Sequence, residues 1–205
     1  MRLILLLLAI SLSLFLSFDS NAQVKPKKKK AKIRMTFGPK AGLNMQEIYG
    51  GSTYDVAYKP GITGGVFLSV NRRNHGLRTE ALINTGRINS YYGNYHINTV
   101  SVNIPALYEV KIVRRLWLQF GPQFTTMISA RRSGVGGNDI DVKNKFRNAD
   151  IAAVAGLELA LRRKFLLGAR YIYGFVDVNN TSYTTAVPET WRNRGIQLYL
   201  GYRCY

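Results

Sequence analysis

The sequence predicts an all-β fold: an eight-stranded antiparallel up-and-down transmembrane β-barrel with short periplasmic turns and long external loops. Three observations carry this. Most of the chain after residue 34 falls into segments where apolar and polar residues alternate with a period of two, the mark of extended strands whose side chains point to opposite faces. The connections between segments alternate between short basic turns and long polar stretches, as in outer-membrane barrels. An export signal opens the chain.

That signal is Met1-Arg2, a short positive start, followed by an apolar run from Leu3 to Phe18 and small residues before a cleavage point after Ala22. The run is shorter than the ~20 residues a spanning helix needs. Residues 1–22 are therefore read as a cleaved signal peptide. Residues 23–34 carry Lys25, Lys27, Lys28, Lys29, Lys30, Lys32 and Arg34. Like charges repel and bury nothing, so this is read as a disordered basic periplasmic arm. It is either a solvated tail or a contact for anionic head groups or a periplasmic partner. Residues 35–205 form the barrel.

The first strand, Met35 to Met45, sets Phe37, Pro39, Ala41 and Leu43 against Thr36, Lys40 and Asn44. Gly61 to Asn71 sets Ile62, Val66, Leu68 and Val70 against Thr63, Phe67 and Ser69. Leu77 to Gly86 sets Leu77, Thr79, Ala81 and Ile83 against Arg78, Glu80, Leu82 and Asn84. The longest pattern is a hairpin from Thr99 to Arg131. Its first half puts Val100 through Ile112 outward on even positions; its second puts Leu116 through Ala130 outward, with Gln119, Gln123 and Arg131 inward. Asp150 to Arg162 sets Ile151, Leu157 and Leu159 against Val154 and Glu158. Phe165 to Val176 sets Leu167, Tyr171 and Phe175 against Leu166, Arg170 and Ile172. Gly195 to the C-terminus sets Ile196, Leu198, Leu200, Tyr202 and Cys204 against Gln197, Tyr199 and Arg203. Apolar outside and polar inside is the reverse of a water-soluble, lipocalin-like barrel.

The short turns each hold adjacent bases: Arg72 and Arg73, Arg114 and Arg115, and Arg162, Arg163 and Lys164. With a periplasmic N-terminus they share one side, a basic rim set against inner-leaflet phosphates. The long connections fall near 46–58, 87–96, 132–149 and 177–194. They are rich in Tyr, Ser, Asn and Gly, which suits an aromatic girdle with solvated loops and also protein or glycan contact.

Pointing the polar face inward collects Lys40, Arg78, Glu80, Glu109, Lys111, Glu158 and Arg170. Eight strands enclose a lumen just wide enough for side chains to fill. Buried charges need partners, so an interior ionic network closing the barrel is expected; a narrow pore is the alternative. The formal charge of +18 would suit nucleic acid in a cytosolic protein. Export removes that partner and leaves outer-membrane lipids, phospholipid and lipopolysaccharide. No catalytic residue is assigned: His75 falls in a turn, and His96, near Ser90 and Ser101, has no evident acid beside it, which makes a rim lipid-modifying enzyme a remote alternative. The two histidines and single Cys204 make no metal cluster by spacing, and no cofactor is expected.

In order, FGPKAGLN, KPGITGGVF, LRTEAL, VNIPALYEVKI, FGPQFTTMISA, DIAAVAGLEL, LGARYIYGF and LYLGYRCY resemble the PorT-like family of small outer-membrane β-barrels. The resemblance spans nearly the whole mature chain. It implies a single barrel in a Gram-negative outer membrane, without cofactor or catalytic residues, acting as a structural or interaction module. A part in a protein-secretion and gliding system, with secretion proteins as partners, is the alternative it implies. Members usually end in an outward aromatic that serves as an assembly signal. Here Tyr202 and Tyr205 flank Cys204, which holds the outward position between them.

Overall fold

The computed structural model describes residues 33–49, 60–89, 95–134, 140–141, 143, 149–161, 164–175 and 192–204. The signal peptide, most of the basic arm, most of the long connections, Arg162, Arg163 and Tyr205 lie outside the described residues. The strands are β1 (Ile33–Tyr49), β2 (Pro60–Arg72), β3 (His75–Asn89), β4 (Tyr95–Val113), β5 (Leu116–Gly134), β6 (Ile140–Asp141), β7 (Ala149–Ala160), β8 (Phe165–Gly174) and β9 (Arg192–Tyr202).

Eight of these close a ring in the order β1-β2-β3-β4-β5-β7-β8-β9, with β9 returning to β1, and neighbours are antiparallel throughout. The two-residue β6 is appended to the outer end of β5. Closure removes every free edge, which a lipid environment demands because no water is there to satisfy exposed backbone groups. Even the shortest ring strand, β8 at 10 residues, can cross a bilayer.

The outer wall is apolar: Ile62 is 66% exposed, Ile83 56% and Leu200 55%, while Glu80 and Arg170 inside are 3% and 2% exposed. This inverted distribution excludes the water-soluble barrel. The interior also holds a small apolar cluster of Leu107, Ala152, Val154 and Ile172.

Several boundaries differ from the sequence reading. β1 starts at Ile33, so Ile33 and Arg34 belong to the barrel and not to the arm; they pair with Arg72 and Asn71. At the opposite end β1, β3, β4, β5 and β9 run further than the alternation suggests. Backbone ladders continue above the membrane, where neither face must be apolar, so the hydrophobic pattern fades before the pairing does. The β2–β3 connection is tighter than expected. Arg72 pairs with His75, and the two-residue turn is made with Arg73 at φ 56°.

One face assignment is corrected. Ser101 pairs with Met127, but Val100 pairs with Ser129, so Ile128 is an extra residue on β5. A bulge of one residue inverts the period-two parity beyond it. Ala130, expected to face lipid, is 0% exposed. Arg131, expected inside, is exposed on the outer wall.

Candidate functional site: the barrel interior and its rims

Each ring strand sends a side chain to one buried cluster. Lys40 comes from β1, Ser69 from β2, Arg78 and Glu80 from β3, Glu109 from β4, Gln119 from β5, Glu158 from β7, Arg170 from β8 and Tyr199 from β9. Period two aims each inward, and the register brings them to one level.

Glu80 is the hub. It accepts Lys40 Nζ at 2.9 Å on Oε2, Arg170 Nη1 at 2.7 Å on Oε2 and Arg170 Nη2 at 2.6 Å on Oε1. Arg78 forms a two-pronged pair with Glu158, its Nη2 donating to Oε1 at 2.9 Å and its Nη1 donating to Oε2. Arg78 Nε also lies 3.0 Å from Glu109 Oε1. Glu109 is held further by Ser69 Oγ at 2.5 Å and by Gln119 Nε2 at 2.7 Å. Gln119 Oε1 accepts from Arg170 Nη2 at 2.7 Å, and the Tyr199 hydroxyl lies 2.9 Å from it and 3.1 Å from Glu158 Oε2.

Three cations (Lys40, Arg78, Arg170) thus meet three carboxylates (Glu80, Glu109, Glu158), and the cluster is neutral by formal charge. Aromatic faces complete the solvation of the cations. The Lys40 ammonium is 3.3 Å from the Tyr199 ring centroid, and Arg170 Cζ is 4.6 Å from the same ring. Arg78 Cζ sits 4.7 Å from the Phe67 ring. Toward the long-loop end, the charges give way to amides and hydroxyls: Thr63 donates to Asn84, and Gln197 Nε2 donates to Thr63 Oγ1 at 3.1 Å.

Six of the seven charged residues expected inside are in this cluster. Lys111 stands apart. It is half-buried near the short-turn end, with its ammonium 6.0 Å from the Trp117 ring centroid. It lies one register step from the turn, where the lumen opens to solvent and its long stem reaches water. Parity places Gln119, Tyr199 and Ser69 inward without marking them as partners of the charges. Residue type gave no signal for them, and only the register across the lumen could.

At the short-turn rim Arg72, Arg73, Arg114, Arg115 and Lys164 are all exposed. An aromatic girdle lies beside them. Tyr108 meets Phe120 edge-on at 5.6 Å, and its hydroxyl is 2.9 Å from His75 Nδ1. Phe165 meets Tyr202 edge-on at 5.4 Å, and Lys164 Nζ is 5.6 Å from the Tyr202 ring. His75 is therefore part of an interfacial aromatic contact. Cys204 closes the end of the chain by donating its backbone N–H to Phe37 O at 2.7 Å. Of His96 only the backbone in β4 is described, and Ser90 lies outside the described residues; the Ser101 hydroxyl lies 3.5 Å from Asn103 Oδ1.

A closed ring with an apolar wall, an interfacial aromatic girdle and an ion-paired interior defines a small integral β-barrel of a bacterial outer membrane. The chain belongs to the outer membrane protein beta-barrel domain family, whose model matches residues 21–180. Its fold is similar to that of Ail, the attachment invasion locus protein of Yersinia pestis, solved in complex with the heparin analogue sucrose octasulfate. That likeness has 16% identity, covers 83% of this chain and 99% of Ail, and has a TM-score of 0.54. Neisserial surface protein A is similar too, at 15% identity, 81% and 96% coverage and a TM-score of 0.55. No curated protein sequence matches the chain.

Proposed function

We propose that this outer-membrane barrel is a closed structural and interaction module, working through its surfaces and not through its lumen. The single observation that carries this is the neutral cluster to which all eight ring strands contribute. Ion pairs that cross the lumen occupy the path an ion would take, and opening them would strand buried charges. In planar bilayers the refolded protein is expected to give no steady conductance; a stable single-channel current would replace this reading with the narrow pore.

The surfaces divide by side. The basic rim at the short turns, with Arg162, Arg163 and the lysine arm, is suited to phospholipid phosphates of the inner leaflet. The long connections, rich in Tyr, Ser and Asn, are suited to an external protein or glycan. The complex of Ail with a heparin analogue supports a glycan as a ligand class. Export through a signal peptide cleaved after Ala22 and a non-enzymatic role fit the same reading. Membership of the PorT-like branch, with a part in secretion or gliding, rests on the ordered segment resemblance alone, as does an assembly role for Tyr202 and Tyr205.

A further inference from the structure

The bulge at Ile128 completes a cationic row on the outward face of the wall, just beyond its apolar band. Arg87 of β3 pairs in register with Asn98 of β4, and Asn98 pairs with Arg131 of β5. Laterally paired residues of an antiparallel sheet leave it on the same face, here the outward one. Arg87 and Arg131 are exposed, and Arg87 Nε donates to Asn98 Oδ1 at 2.9 Å. The two arginines rise from strands two spacings apart, roughly 10 Å, a span that flexible guanidinium arms close readily.

The row lies at the long-loop end, on the external side. Below it the same strands present an apolar wall that includes Ile83 and Ile104. A molecule fitting this surface needs an anionic head at the level of the arginines and an apolar body along the wall. Planar guanidinium groups recognise phosphate oxygens two at a time. Without the extra residue, Arg131 would point into the lumen and Ala130 would take its place opposite Asn98. Asp141 pairs with Arg131 in the β6 register, which lowers the formal charge of Arg87, Arg131 and Asp141 together to +1.

We propose that Arg87, Asn98 and Arg131 form a binding site for the phosphorylated head group of an outer-leaflet glycolipid, with its acyl chains lying along β3 to β5. This rests on the membrane placement of the barrel and is independent of whether the lumen conducts. It also differs from the basic rim at the opposite end.

The test is lipid binding to the full-length refolded barrel in detergent micelles, read by native mass spectrometry. The probes are diphosphoryl lipid A and fully dephosphorylated lipid A. The wild type is expected to prefer the phosphorylated probe. Arg87→Gln with Arg131→Gln is expected to weaken that binding by about tenfold or more, as loss of charge-assisted hydrogen bonds predicts, and to leave the weak dephosphorylated binding unchanged. Arg192→Gln, at an exposed arginine of β9 outside both this row and the basic rim, is expected to retain wild-type binding. Folding of each variant is read from its heat-modifiable gel mobility, and Arg87→Lys with Arg131→Lys, which keeps the charge, is expected to bind between the two. Equal binding of both probes by the wild type, full binding by the Arg87/Arg131 glutamine variant, or an equal loss in the Arg192 variant would each overturn the site. A steady bilayer current would overturn only the closed-lumen reading.

Discussion

Arg170 grips Glu80 across the full width of the barrel, with Nη1 2.7 Å from Oε2 and Nη2 2.6 Å from Oε1. Their strands, β8 and β3, are four strands apart in either direction around the ring. The pair therefore acts as a cross-brace between walls that no ladder joins. Lys40 shares the same carboxylate at 2.9 Å. Removing the carboxylate while keeping both cations is the most direct assault on the core.

Glu80→Gln is expected to destabilise the barrel by about 3–5 kcal/mol, the usual cost of stranding a buried charge. Equilibrium urea unfolding in micelles, followed by tryptophan fluorescence, reads this directly. Adding Lys40→Met to Glu80→Gln removes one stranded cation and is expected to recover part of the loss. A variant as stable as wild type would mean that water or a counter-ion reaches the lumen freely.

Tyr199 fits beside the cations because Gly168 leaves room for it. A Cβ at position 168 would lie 2.1 Å from Tyr199 Cζ. Gly168→Ala must push the ring off Gln119 and Glu158, and a cost of about 1–3 kcal/mol is expected from overpacking. Tyr199→Leu loses the hydroxyl contacts but also vacates space. The double variant should cost less than the sum of the singles, since the two positions share one contact. Strict additivity in the unfolding midpoints would show that the ring moves without penalty.

The parity switch at Ile128 can be read by cysteine labelling. In a Cys204→Ser background, Arg131→Cys is expected to react rapidly with a maleimide added to the folded protein in micelles. Ala130→Cys, at a fully buried position, is expected to resist until the barrel is unfolded. The reverse order of reactivity would mean that the strand runs without a bulge.

The exposed rim bases predict an electrostatic preference during assembly. Replacing Arg72, Arg73, Arg114, Arg115 and Lys164 with Gln should reduce the advantage of anionic over zwitterionic phospholipid vesicles in folding yield. Each base near a charged surface contributes about 1 kcal/mol, an effect that added salt screens. An unchanged preference would assign these bases to turn solubility alone.

The barrel was legible because lipid outside and side chains inside impose opposite polarities on successive residues. That alternation is written locally, in Ile62 against Thr63 or Leu167 against Arg170, and it needs no knowledge of distant contacts. Pairing around the ring follows from the turns, and so the inward charges could be named from the chain alone. Local pattern could not say which charge meets which. Arg78 reaches Glu158 and Glu109, while Arg170 reaches Glu80, because of the register and stagger of strands far apart in sequence. Nor could it show that Lys111 lies beyond the cluster, that Gln119 and Tyr199 complete it, or that Ile128 is an extra residue. A bulge leaves no mark in a stretch such as Thr125 to Ser129, where polar and apolar side chains suit either face. The sequence by itself determined the fold and the inward and outward faces up to that point. Only the tertiary structure decided the partners within the core and the outward turn of Arg131, because both depend on strand register, which is set by the closed ring as a whole.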